Sequence, residues 1–152
     1  MRKQRFYFDT SVFGGVFDSE FKDASRLLFD RVWSGQVVCV YSDVTEGELI
    51  AAPERIRVFF AGLPREYMER HVIGEDEAIL AARYVSEKVV DDTSLGDCLH
   101  IAVATISHVD VLVSWNFKHI VNIYRVRGYN SINLRMGYPA LEIRSPREVM
   151  AL

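Results

Sequence analysis

Cysteine is scarce: the 152 residues hold two, Cys39 and Cys98, each inside an apolar run and with no Cys-x-x-Cys or Cys/His ligand spacing around it. That excludes a disulfide framework and a structural zinc site, and both thiols read as small buried hydrophobes. Proline is thin too, four scattered residues. With no repeat, low-complexity tract or Pro/Gly-rich linker to divide the chain, a single domain over 1–152 is expected. Apolar runs stay well short of the roughly 18 residues a membrane span needs, and the N-terminal MRKQRFYFDTS turns acidic before a signal-like segment develops. A soluble cytoplasmic protein with no membrane contact is the expectation. The glycine fingerprints of P-loop and dinucleotide-binding proteins are missing, which leaves ATPase and dehydrogenase readings without support. Positive charge is short as well: 18 Lys plus Arg against 21 Asp plus Glu give −3, which argues against coating nucleic acid by bulk charge. An enzyme that reaches a phosphodiester through metal ions carries excess carboxylate and is not excluded.

What is present is ordinary globular material, 49% hydrophobic and 26% charged, arranged as an alternation of element types. An aromatic strand at 5–9 is followed by a Gly14-Gly15 break and a helical stretch at 20–33. The run VVCVYS at 37–42 has the continuous apolar character of a strand covered on both faces, and helices follow at 44–51 and from 53 to 60 or 61. A long helix is expected at 75–90, and a central helix, apolar on almost every side, at 97–109. The remaining expectations are a strand at 110–114, a helix from 119 to about 129, a strand at 140–143 and a closing helical turn at 146–149. Phe6, Phe8, Phe29, Phe59 and Phe60 fall in apolar patterns and are assigned to the core. Strands separated by helices imply right-handed crossovers, a parallel sheet and helices on both faces, so the class is α/β.

Ligands of open parallel sheets bind beyond the carboxyl ends of the strands. The residues placed there are Asp9, Thr10 and Ser11, then Ser42 and Asp43 with the helix carrying Glu46 and Glu48, then Ser114, Trp115 and Asn116, with Asp97 opening the central helix. Converging carboxylates repel unless a proton or cation bridges them, and an all-oxygen set suits Mg²⁺ or Mn²⁺. Glu46 and Glu48 point about 200° apart on a helix, so only one can face the site. Asp43-x-x-Glu46 has capping spacing, which leaves Glu48 as the candidate ligand, and Ser94-x-x-Asp97 is a capping box as well as a ligand position. The hydroxyls of Thr10, Ser11 and Ser114 are candidate phosphate or water contacts, or satisfy nearby backbone. The Asn116 amide oxygen can ligate a cation, orient water or end a turn. His71, His100, His108 and His119 lack the spacing of a zinc helix and are read as structural or surface residues.

Four stretches in order, FYFDTSVFGG at 6–15, SDVTEGELI at 42–50, DCLHIAVAT at 97–105 and VLVSWNFKHI at 111–120, resemble the PIN domain, above all the small VapC-like toxins of toxin–antitoxin systems. The resemblance implies a three-layer α/β/α sandwich with a central parallel sheet and a metal-dependent ribonuclease. Its acidic signature falls on Asp9, Glu48, Asp97 and Asn116 as catalytic positions, the first three as metal ligands for one or two Mg²⁺ or Mn²⁺ ions. Asn116 departs from the pattern, because an amide stands where many PIN domains carry Asp. Thr10, Ser11, Ser114 and Lys118 would meet the substrate. A small antitoxin partner and a homodimer are implied as well. A dehalogenase-type phosphatase also places an Asp after its first strand but wants a second acid two residues on, where this chain has Ser11. A PIN-like module that binds RNA or protein without cutting is the other alternative.

Overall fold

The computed structural model describes residues 3–91 and 94–151. Among these residues five parallel strands form one sheet, β1 (Gln4–Phe8), β2 (Val37–Ser42), β3 (Met68–His71), β4 (Val111–Val113) and β5 (Ile143–Arg144), in the order β3-β2-β1-β4-β5. Among the described residues eight α-helices flank it: α1 (Thr10–Gly15), α2 (Lys22–Trp33), α3 (Asp43–Ile50), α4 (Glu54–Ala61), α5 (Glu75–Ser86), α6 (Leu95–Ile106), α7 (Ile123–Arg135) and α8 (Pro146–Met150).

Strand alternation splits the core in two. Tyr7, Val40 and Leu112 point to the face packed by Leu80 and Tyr84 of α5, Ile101 of α6 and Tyr129 and Ile132 of α7. Phe6, Phe8, Cys39, Val111 and Val113 point to the face packed by Val12 and Phe13 of α1, Leu28, Phe29 and Val32 of α2 and Val149 of α8. The α/β/α sandwich with a central parallel sheet expected from the sequence is thus the observed architecture. Both cysteines are buried and free, Phe6, Phe8 and Phe29 are buried, and Phe59 and Phe60 are half-buried against the second face. Among the described residues no helix is long and apolar enough to cross a membrane.

Several boundaries differ from the sequence expectations, each for a local reason. Gly14-Gly15 is no break: Asp9 caps a helix that runs through both glycines. The helix expected at 75–90 ends at Ser86, and Lys88 takes a left-handed φ of 62° that closes it. The central helix runs Leu95–Ile106 rather than 97–109, and His108, at φ 56°, turns the chain toward β4. The helix expected at 119–129 starts only at Ile123, because the Asn122 side chain accepts from the N–H groups of Tyr124 and Arg125 at 3.1 and 3.3 Å and fixes the N-terminus there. The last strand is Ile143–Arg144 rather than 140–143. β3 was not readable as a strand, since its sequence MERH carries the charge an edge strand tolerates and no apolar run.

Candidate metal centre

The chain leaves β1 for β2 on one side and later returns to place β4 on the other, so the crevice at the carboxyl ends of β1 and β4 is the topological switch point. Asp9 stands there, only 5% exposed. Its Oδ1 accepts the Ser11 N–H at 3.4 Å, and its Oδ2 accepts the hydroxyls of Ser11, at 3.0 Å, and of Ser114. The Ser11 oxygen in turn accepts the Trp115 N–H at 3.0 Å and the Ser114 oxygen accepts the Asn116 N–H at 2.9 Å. The loop leaving β4 is therefore tied to the carboxylate by two hydroxyls, and one orientation of Asp9 is fixed from both strands.

Glu48 reaches the crevice from α3. Its Oε1 accepts the Thr10 hydroxyl and lies 2.6 Å from Nε2 of His100 on α6. Gly96 makes room for it: a Cβ at that position would stand 3.3 Å from Glu48 Oε2. His100 is fully buried, its Nδ1 is 2.6 Å from the Tyr7 hydroxyl, and that hydroxyl is 2.8 Å from Ser42 Oγ. Ligand atoms of Asp9, Glu48 and His100 all lie within 4.8 Å of one another, and His100 Nε2 is 3.9 Å from Asp9 Oδ1. Burial works against a charge on His100, but Tyr7 and the carboxylates of Glu48 and Asp9 outweigh it and hold the imidazole well above the ordinary histidine range. Burial likewise opposes the charge on Glu48, and the hydrogen bonds from His100 and Thr10 with the His100 charge reverse it, leaving Glu48 below the ordinary range. Two carboxylates thus face a nitrogen that is driven to carry positive charge.

Asp97 enters from the first turn of α6. Burial first, then the negative charge of Asp9, push its carboxyl up, while His100 and His119 pull the other way. It shares the electrostatic neighbourhood of the crevice but is not a member of the tight three-residue group. The Ser94 side chain makes no capping bond and turns to Asp91 instead, at 3.5 Å, so the expected capping box through Asp97 does not form.

Of the two glutamates on α3, Glu48 faces the crevice. Glu46 lies on Arg70 of β3 at 2.7 Å, and Asp43 accepts the Ile73 N–H at 3.0 Å, so the spacing read as a cap serves contacts to the β3 edge. Thr10, Ser11 and Ser114 each hold a carboxylate of the site. Lys118 is exposed. The Asn116 oxygen accepts the N–H groups of Lys118 and His119 at 3.2 and 2.9 Å, so the residue shapes the turn after β4 and touches the site through its own N–H on Ser114. His100 is the residue sequence reading left out. The available signal was Asp97-x-x-His100, a spacing that puts both side chains on one helix face, but the apolar run around it read as plain core. A groove of about 590 Å³ along β5 and α7, lined by Phe117, Ile123 and Arg144 among others, does not include Asp9, Glu48 or Asp97.

Neither the family models nor the curated protein sequences compared with the chain match it. Solved structures do. A chain of VapBC2 from Rickettsia felis, crystallised with a DNA fragment from its promoter, aligns over 93% of this chain and 98% of its own with a TM-score of 0.58 and 12% identity. A chain of a DNA-bound VapBC from Salmonella typhimurium aligns over 94% and 98%, with a TM-score of 0.58 and 18% identity. A toxin–antitoxin complex from Klebsiella pneumoniae aligns over 74% and 87%, with a TM-score of 0.55 and 16% identity. At these identities the likeness is one of fold.

Proposed function

We propose that this chain is a VapC-like PIN-domain toxin, a divalent-metal-dependent endoribonuclease. The observation that carries the reading is the meeting of Asp9 and Glu48 in one crevice with Asp97 beside them, on the fold of toxin–antitoxin proteins. The donor set fits Mg²⁺ or Mn²⁺: ligand atoms of Asp9 and Glu48 lie within 4.8 Å of each other in the crevice, and Asp97 opens the helix that carries His100 beside them. Asp9, Glu48 and Asp97 would hold the metal, one ion or two. When bound, it supplies positive charge that makes an attacking water more acidic and offsets charge on the phosphoryl and leaving oxygens. The chain's own part is positional. Ser11 and Ser114 lock Asp9, Thr10 holds Glu48, and exposed Lys118 stands on the turn after β4 where an RNA phosphate would pass.

The partners proposed are an RNA substrate, a small antitoxin and a second copy of the chain, in the cytoplasm. The net −3 accords with binding through a local cation rather than bulk charge. Cleavage of a mixed RNA substrate in Mn²⁺ or Mg²⁺, its abolition by EDTA and its loss in Asp9→Asn and Asp97→Asn proteins with unchanged circular dichroism are the expected results. Cleavage that persists through the chelator or the substitutions overturns the reading. One observation favours a second: the Asn116 oxygen is committed to backbone N–H groups, as suits a PIN-like module that binds RNA or protein without cutting. Calorimetry with Mn²⁺ separates them, since such a module shows no cation affinity at neutral pH.

A further inference from the structure

We infer that His100 is itself a ligand of the metal, through Nε2, and that the centre is a mixed nitrogen and oxygen site selective for Mn²⁺ over Mg²⁺. The inference rests on the metal-dependent reading above and deepens it. Its basis is placement. Nε2 is in the tight group with the Asp9 and Glu48 oxygens, all within 4.8 Å of one another, on a ring with no exposed surface. The other ring nitrogen is 2.6 Å from the Tyr7 hydroxyl, itself 2.8 Å from the buried Ser42 hydroxyl. Without metal, Nε2 carries the proton it shares with Glu48 Oε1 at 2.6 Å; a divalent ion takes that proton's place on Nε2 and releases it to solvent, while Nδ1–H stays on Tyr7. A second hydrogen bond that fixes ring orientation and tautomer is the usual support of a metal-binding histidine. Tyr7 is buried in the centre of the sheet and cannot swing away, so it acts as a positioning residue for His100.

The fourth donor also has to come from somewhere other than the β4 loop. Asn116 spends both lone pairs of its oxygen on the N–H groups of Lys118 and His119. α6 offers a replacement one turn beyond Asp97, and a neutral nitrogen replaces what would otherwise be another negative oxygen. Mg²⁺ prefers hard oxygen donors and keeps its waters, whereas Mn²⁺ and the later divalent ions accept imidazole readily. Selectivity therefore follows from the donor that α6 contributes.

Pulsed electron paramagnetic resonance on the full-length protein loaded with Mn²⁺ tests this, comparing natural-abundance protein with protein carrying ¹⁵N-labelled histidine. A directly bound ¹⁴N coupling that converts to ¹⁵N on labelling, persists in His119→Gln and disappears in His100→Gln is expected. The labelled wild-type protein gives the nitrogen result even where His100→Gln does not fold. Bound Mn²⁺ with no nitrogen coupling, or a coupling lost in His119→Gln, overturns the inference while the metal-dependent reading stands. No bound Mn²⁺ overturns both. Tyr7→Phe should keep the coupling and weaken Mn²⁺ binding by about 10- to 100-fold in calorimetry, and an unchanged affinity removes the role given to Tyr7. Binding of Mg²⁺ as tight as that of Mn²⁺ overturns the selectivity.

Discussion

Gly15→Ala puts a single methyl group where the second core layer and the carboxylate crevice are joined. A Cβ at residue 15 would meet Ser25 Oγ and Trp115 Nε1 at 2.6 Å each and Trp115 Cδ1 at 2.9 Å. Those two polar atoms are hydrogen-bonded to each other at 2.8 Å, and the Trp115 ring is stacked on Phe21 at 4.1 Å, so neither has an easy way to yield. Forcing them apart costs about 1–3 kcal/mol as overpacking. A buried Ser25 hydroxyl left without its partner costs about 1–3 kcal/mol more. The helix preference of alanine returns up to about 1 kcal/mol. A net loss of about 3 kcal/mol corresponds to a melting temperature roughly 6–12 °C lower for a chain of this length. The same movement pulls the Trp115 N–H from Ser11 and so loosens Asp9, which predicts weaker Mn²⁺ binding in the same variant. Differential scanning calorimetry with tryptophan emission as a second probe reads both the melt and the indole environment. Ser25→Ala combined with Gly15→Ala should cost less than the sum of the two changes, because both act on one contact. A Gly15→Ala melt within about 1 °C of wild type would refute the packing argument.

The Glu48–His100 pair gives the metal-free protein a pH optimum. The Glu48 contribution is present above its ordinary 4.5 and is lost as pH falls through its lowered folded value, while the His100 contribution is full below 6.5 and is lost as pH rises through its raised folded value. Denaturation midpoints measured against pH in EDTA should fall on both sides of that window, and His100→Gln should flatten the alkaline side. Asp97 has the opposite sense for an acid: its raised folded pKa means that its charge costs stability once pH rises above that value. Asp97→Asn is therefore expected to melt higher than wild type at neutral pH without metal and to lose the stabilisation that Mn²⁺ gives the wild type. A melt that is lower in EDTA contradicts the assignment of Asp97 to a crowded carboxylate crevice.

The fold was readable where burial governs the sequence pattern. β2 and β4 are covered on both faces and show as apolar runs, and α6 lies between other elements and is apolar nearly all round. β3 was not readable, because its pairing to β2 is made by the backbone while its side chains are those of an exposed edge. The Gly14-Gly15 pair read as punctuation, although Gly15 is there because Trp115, distant in sequence, leaves no room for a Cβ. At the site, the strand-end rule led to Asp9, and the helical angle between Glu46 and Glu48 allowed only one of them to face the crevice; the choice of Glu48 came from a capping spacing that serves contacts to Arg70 and Ile73 instead. The Asp97 position was accessible too, though its capping role was not borne out. The place of His100 depends on Tyr7 and Ser42 arriving from two neighbouring strands, a coincidence of tertiary structure that no local spacing encodes. Asn116 shows the same limit in reverse: its type suggested a ligand, and the turn that follows it takes up its oxygen.

The central claim is that a divalent cation sits between Asp9 and Glu48. An anomalous difference map recorded at the manganese edge from crystals soaked in Mn²⁺ tests it most directly. The account predicts a peak in the crevice at the carboxyl ends of β1 and β4, in contact with an oxygen of Asp9 and an oxygen of Glu48. A crevice without a peak in a crystal that binds Mn²⁺ elsewhere would contradict it.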